Sequence, residues 1–172
     1  KPVITCQADV DSLIPFCAEE QLSYVAQTLD ALRIELGDDK ALLGFAGAPF
    51  TLASYMIEGG STRTFHKIKG LMARDPALLV GLMDVLADAV AELLLMQLEH
   101  GADAVQLFDS WAGELSEADY RRFAHPVNSR IAKRIRAQGE DDGMGGYVDR
   151  MELRSGHAAV VEQQQHAADH EY

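Results

Sequence analysis

Two short apolar runs, Ala41-Leu42-Leu43-Gly44-Phe45-Ala46 and Asp103-Ala104-Val105-Gln106-Leu107-Phe108, do most to limit how this chain can fold. Each is too short for an independent helix and is bounded by turn residues, which suits a buried strand. Between them lies a long stretch with helical spacing. Antiparallel neighbours need only a tight turn, whereas parallel neighbours need a crossover of a dozen or more residues. The expected architecture is therefore α/β with parallel strands.

The helical segments carry their own punctuation. From Ala18 to Leu36, the residues Leu22, Val25, Leu29, Leu32 and Leu36 fall at three- and four-residue steps and predict one buried face, stopped by Gly37. Ahead of it, Asp9-Val10-Asp11-Ser12 and Pro15 suggest an irregular segment with a turn. Pro49 suits the first turn of a helix carrying Thr51 to Glu58, with Gly59-Gly60 as its stop. A second short helix is expected over Thr62–Ala73. Asp75 then caps a long helix begun by Pro76 and closed by Gly101, with Leu79, Leu82, Leu86, Val90, Leu93 and Leu94 facing inward. Ser116 and Asp119 resemble a capping box for a last helix through Tyr120, Phe123, Val127, Ile131 and Ile135 to about Gln138. Pro126 inside that helix predicts a kink or a break.

With 172 residues the chain can build one real core. Its formal net charge of −12 argues against a nucleic-acid partner, which needs clustered Lys and Arg. Half of that charge sits in residues 139–172, which hold 8 acids and 2 bases. Gly139 to Gly146 reads as an acidic linker, and residues 147–172, with little periodicity, as disorder or a loose helix. The domain division is thus 1–138 and an acidic tail, 139–172. The most apolar stretch, Ala87 to Leu98, is interrupted by Asp88 and Glu92, so no membrane span is expected. The chain begins at Lys1-Pro2 without an initiator Met and reads as an internal piece. Cys6 and Cys17 match no zinc or redox spacing and read as free thiols of a cytoplasmic protein. His66, His100 and His125 are scattered over helices, and surface or core-edge roles are expected for them. No zinc motif is present. Ser54 and Ser110 lack the Gly-x-Ser-x-Gly setting of a hydrolase nucleophile. The basic residues Arg121, Arg122 and Arg130 to Arg136 read as a solvated helix face.

Two segments carry chemistry. In Gly44–Ser61 a strand end, a small-residue turn and a Pro-started helix follow one another. Phe45 is expected at the C-terminal end of its strand, and Tyr55 offers a hydroxyl on an apolar body. Tight packing of the glycines and a half-buried surface tyrosine explain the same residues. In Ala104–Gly113 an apolar strand runs into Asp109-Ser110-Trp111, and strand C-terminal ends are where barrel enzymes place their polar site residues. Ser110 could bind a ligand carboxylate and Phe108 could wall an apolar ring system. Equally, Asp109 and Ser110 could do no more than begin a loop.

The pair of segments GFAGAPFTLASYMIEGGS and, some forty residues on, AVQLFDSWAG resembles the uroporphyrinogen decarboxylase family. The likeness covers roughly residues 8–138 and is strongest from 43 to 125. It implies a TIM (β/α)8 barrel, of which this chain would supply two to three strand-helix units, since a full barrel takes ~250 residues. It also implies a homodimer without cofactor or metal that converts uroporphyrinogen III to coproporphyrinogen III by four decarboxylations, in porphyrin and heme biosynthesis. Protonating a pyrrole carbon makes the substrate its own electron sink, so the protein supplies an acid and positioning. By the same resemblance Tyr55, Ser110, Phe45 and Phe108 are substrate-binding residues. The catalytic residues stay unassigned. The family's N-terminal arginine segment, an upstream strand-end aspartate and a late Gly-His-Gly-like histidine find no match, and His157 lacks that histidine's setting. A truncated decarboxylase is the expected identity. The alternatives are an inactive fragment that binds a porphyrinogen or a partner chain, and a related barrel methyltransferase, for whose late zinc ligands Cys6 and Cys17 are misplaced.

Overall fold

The computed structural model describes residues 3–37, 39–60, 64–141 and 161–162. The expected α/β organisation is present. Strand β1 (Leu43–Gly47) and strand β2 (Ala104–Phe108) pair in parallel, with Gly44 opposite Val105 and Gly47 opposite Phe108. The two-residue strand β3 (Val161–Glu162) pairs in parallel with the other edge of β2. Apart from residues 139–141 and these two, the stretch read above as an acidic tail lies outside the described residues.

The crossover from β1 to β2 is helical throughout. It comprises α4 (Pro49–Glu58), α5 (His66–Arg74) and the long α6 (Pro76–Glu99). Helices α1 (Gln7–Asp11), α2 (Ala18–Gln21) and α3 (Ser23–Leu36) precede β1. Helices α7 (Glu117–Asp119) and α8 (His125–Asp141) follow β2, with a π-helical turn, Tyr120–Ala124, between them.

Helix α6 is the hub of the core. Leu79, Leu82, Met83 and Leu94 are completely buried, and Leu86 and Leu93 pack at the margin of the core. They meet Phe50, Ala53 and Ile57 of α4, Ile68 and Leu71 of α5, Val105 and Leu107 of β2, and Val127, Ile131 and Ile135 of α8. The expected inner faces of α6 and α8 are therefore observed. All of this burial is on one side of the sheet. Gly44, Ala46, Val105 and Leu107 face the helices, while Leu43, Phe45 and Phe108 stay exposed.

Several boundaries differ from the sequence expectation for identifiable reasons. The segment around Asp9 forms helix α1 because the Asp9 carboxylate accepts from the backbone N–H groups of Thr5 and Cys6 and from the Thr5 hydroxyl. Those bonds, the Thr5 hydroxyl's first, lower the Asp9 pKa to about 2. The run from Ala18 to Leu36 is split at Leu22, where the backbone leaves the helical region. Its expected face is only partly buried. Ala26 and Leu29 are inside, while Leu32 is 40% exposed, because α3 reaches the core only through a small cluster with Ala18 and Met96. Strand β1 runs on to Gly47, so Phe45 is its middle residue and not its end. Helix α5 begins at His66, after the non-helical Thr64 and Phe65, while the expected start at Thr62 lies outside the described residues. The Glu58 carboxylate accepts from the N–H groups of Lys67 and Ile68 and fixes the start there.

The long helix begins as the sequence indicates, with Asp75 accepting from the N–H of Leu78. Ser116 likewise accepts from the N–H of Asp119, and its hydroxyl donates to the Asp119 carboxylate. The disturbance foreseen at Pro126 takes the form of the π-turn just before it, which accommodates the missing N–H donor. The basic face of α8 is not merely solvated: Arg130 pairs with Asp84 at 2.9 Å, and Arg134 lies 3.7 Å from Asp88, tying α8 to α6.

One polar clasp holds the N-terminal helices to the hub. His100, just past α6, bonds Asp30 of α3 through Nδ1 at 2.9 Å and Glu19 of α2 through Nε2 at 3.2 Å. The bond to Asp30 contributes most to raising the imidazole's pKa above its ordinary value of 6.5. A raised folded-state pKa stabilises fully below the unfolded value, and the effect fades as pH rises through the folded value. The urea midpoint of the parent chain should therefore exceed that of His100→Gln by more at about pH 6 than at about pH 9. An equal or larger gap at the higher pH would contradict the clasp.

A second expectation concerns Gly44. A Cβ there would run into Gln97 Oε1 and sit 3.1 Å from Val105 Cγ1. Gly44→Ala should lower unfolding free energy by about 1–3 kcal/mol, measured by chemical denaturation. An unchanged midpoint would show that Gln97 does not lie against β1.

Candidate functional site

The C-terminal ends of β1 and β2 lie side by side and are joined by the bond from the Ala48 N–H to the Phe108 carbonyl, 2.8 Å. From this rim the chain enters α4 on one side and the loop of Asp109, Ser110 and Trp111 on the other. The side chains singled out from the sequence fall into two groups here.

The first is an aromatic pair on the open face of the sheet. The rings of Phe45 and Phe108 meet edge to face at 5.9 Å, and the two residues are 64% and 41% exposed. Phe45 is held from behind. Its N–H donates to Gln97 Oε1 at 2.6 Å, and Gln97 Nε2 donates to its carbonyl at 3.0 Å. Gln97 is itself buried, and both ends of its amide bond the backbone at the middle of β1. Only the absence of a side chain at Gly44 lets it approach.

The second group surrounds Trp111. Tyr55 projects from α4 with 44% of its surface exposed, its ring T-shaped against Trp111 at 5.9 Å. Phe65 packs on Trp111 at 4.9 Å. Phe65 has φ of 48°, in the left-handed region that a bulky residue rarely occupies, yet it is 3% exposed. That conformation persists where surrounding packing over-determines it, and Trp111 is part of the packing. Ser110 is exposed at the tip of the loop. Among the described residues no ring contact joins the Phe45–Phe108 pair to the Tyr55–Trp111–Phe65 group.

Residues with no obvious motif turn out to organise the loop. Thr51 Oγ1 donates to Asp109 Oδ1 at 2.8 Å and accepts from the Trp111 N–H at 3.2 Å. Asn128 Nδ2 donates to Asp109 Oδ2 at 3.1 Å. Neither Thr51 nor Asn128 stands out in the sequence. The signal available was a polar residue at a position whose helical spacing demands burial.

Other residues weighed from the sequence have different uses. Ser54 is buried, and its hydroxyl donates back to the Phe50 carbonyl at 2.8 Å, so it is a helix-internal group. His66 bonds Thr64 and His125 packs against Tyr120, both at the surface. Cys6 and Cys17 are free thiols. Among the described residues no group of three or more His, Cys, Asp or Glu side chains is arranged to hold a metal ion, and no helix is long and apolar enough to cross a membrane.

With this geometry in place, similarity to known proteins becomes informative. The family model described as "Uroporphyrinogen decarboxylase (URO-D)" matches residues 1–150. A protein named uroporphyrinogen decarboxylase from Picosynechococcus sp. is 40% identical over 159 residues, covering 92% of this chain and 44% of that protein. One from Gloeobacter violaceus is 43% identical over 135 residues, 78% of this chain and 39% of its own length. A chloroplastic uroporphyrinogen decarboxylase of Zea mays is 41% identical over 153 residues, 85% of this chain and 39% of its own. The chain belongs to the uroporphyrinogen decarboxylase family. It spans less than half the length of these curated relatives.

Trp111 is the only tryptophan, so its emission reports on this site alone. Tyr55→Ala uncovers one side of its ring and should shift the emission to the red and increase quenching by acrylamide. Unchanged emission would mean that Tyr55 does not cover Trp111 in solution.

Proposed function

We propose that this chain forms part of the porphyrinogen-binding cleft of a uroporphyrinogen decarboxylase. In this reading β1 with α4, and β2 with α7 and α8, are strand-helix units of a TIM barrel. Leu43, Phe45 and Phe108 then face the barrel interior, and the loops after the strands form the rim where barrel enzymes place their sites. The observation that carries the proposal is the exposed Phe45–Phe108 pair on the open face of the sheet, with the exposed Ser110 on the loop that follows Phe108 and the exposed Tyr55 on the helix that follows β1. A tetrapyrrole bearing carboxylates needs that combination of an apolar wall and hydroxyl donors.

In this assignment Phe45 and Phe108 pack on the macrocycle, and Ser110 and Tyr55 donate to its carboxylates or position its rim. The conversion of uroporphyrinogen III to coproporphyrinogen III requires proton donation to a pyrrole carbon before each loss of carbon dioxide. The described residues offer no buried acid aimed at the open face, so groups outside them would provide that proton. The chain's share of the work is to bind and orient.

Titration with uroporphyrin, the flat oxidised form of the substrate, tests this through Trp111 quenching. Saturable binding is expected, weakened about tenfold or more by Ser110→Ala, as suits loss of a hydrogen bond to a charged group. Phe45→Ala should weaken it through lost apolar contact. Absence of binding, or equal affinity in all three chains, would overturn the assignment. Anaerobic assay with uroporphyrinogen should give no rapid turnover by these residues alone.

A further inference from the structure

The loop after β2 is a tight turn whose tip is Ser110. The Ala112 N–H donates to the Asp109 carbonyl at 3.0 Å, closing a four-residue turn from Asp109 to Ala112. Trp111 has φ of −96° and ψ of −3°, the values of the third residue of a type I turn. Ser110 is thus the second residue, flanked on both sides by residues that Thr51 holds. The Thr51 hydroxyl donates to the Asp109 side chain at 2.8 Å and accepts from the Trp111 backbone at 3.2 Å. A segment pinned immediately before and after one residue presents that residue outward. Here that residue is Ser110, which is exposed, whereas Thr51 is only 7% exposed.

The same bonds place the Asp109 carboxylate. A negative charge next to Ser110 would repel a polycarboxylate ligand. Both oxygens of Asp109 instead accept from protein donors, Oδ1 from Thr51 and Oδ2 from Asn128, which is 2% exposed. These bonds direct the carboxylate toward α4 and α8. Helix α4 follows β1, while α8 follows β2, so Asp109 also links the two strand-helix units across the rim.

We propose that Thr51, Asp109 and Asn128 form a positioning network that sets Ser110 and Trp111 for a carboxylate-bearing ligand and withdraws the Asp109 charge from it. The ligand class rests on the function proposed above, whereas the positioning of the turn does not. Thr51 is the node, because one hydroxyl serves as donor to Asp109 and acceptor for Trp111. Valine has nearly the same shape and can do neither; serine can do both.

The test uses the full chain and three variants, Thr51→Val, Thr51→Ser and Ser54→Ala. Ser54 is a buried hydroxyl on the same helix, bonded only within it at 2.8 Å to the Phe50 carbonyl, and so controls for a general weakening of α4. Two readouts are taken from each: acrylamide quenching of Trp111, and affinity for uroporphyrin. Thr51→Val should raise the quenching constant about twofold and weaken uroporphyrin about tenfold, the scale of a lost hydrogen bond near a charged group. Thr51→Ser should restore both, and Ser54→Ala should leave both near the parent values even where its urea midpoint falls. Parent-like quenching in Thr51→Val, failure of serine to restore it, or an equal change in Ser54→Ala would overturn the network. If the parent chain binds no uroporphyrin, the quenching arm still decides the positioning claim, and only the ligand assignment is lost. If Thr51→Val does not fold, Asn128→Ala removes the second donor and is read the same way, with increased Trp111 quenching expected and unchanged quenching contradicting the proposal.

Discussion

One-sided burial of a two-strand parallel unit against helix α6 is the constraint on which the rest of this structure depends. Parallel strands are ordinarily covered on both faces. Here Leu79, Leu82, Met83 and Leu94 fill the space under one face only. The hub also organises its neighbours by polar contacts: Gln97 fixes the backbone of Phe45, Asp84 and Asp88 hold α8, and His100 just beyond it holds α2 and α3. The side of the sheet that α6 leaves open is the side that carries the exposed phenylalanines.

That asymmetry separates stability from function in the same ten strand residues. The alternate positions Gly44, Ala46, Val105 and Leu107 are small or branched and pack on helices. Phe45 and Phe108, between them, are large and exposed, which is costly for a surface unless something else meets it. Membership of the uroporphyrinogen decarboxylase family, with less than half of a relative's length present, gives that open face a physical context. In the proposed barrel it is the interior wall, and the loops at its rim carry the groups that meet the ligand.

Much of this was legible in the residues. The two apolar runs, the Asp75-Pro76 start of α6 and the spacing of Phe123, Val127, Ile131 and Ile135 encode their elements locally, so sequence and structure agree there. Differences arise where a distant side chain decides. Glu58 sets the start of α5 from nine residues away in sequence, and α3 turns Leu32 outward because its apolar contact with α6 is a small cluster around Ala26 and Met96. The two motifs identified the family, and the places of Tyr55, Ser110 and Phe108 follow from the strand-loop-helix pattern, whereas Phe45, expected at a strand end, lies in the middle of β1 because the strand runs on to Gly47. For Thr51, Asn128 and Gln97 the sequence offers at most a polar residue at a position of helical burial, and not the role. Each is an isolated polar residue whose importance comes from its partner across the core, and no spacing rule reveals such a partner.

The central claim is that the sheet is buried on one face and open on the other. Hydroxyl-radical footprinting of the folded chain, read residue by residue by mass spectrometry, addresses it directly because aromatic residues and methionines are labelled in proportion to their exposure. Heavy labelling of Phe45, Phe108 and Tyr55, with Phe50, Phe65, Phe123 and Met83 protected, is the expected result. Protection of Phe45 and Phe108 to the level of Phe50 would contradict it.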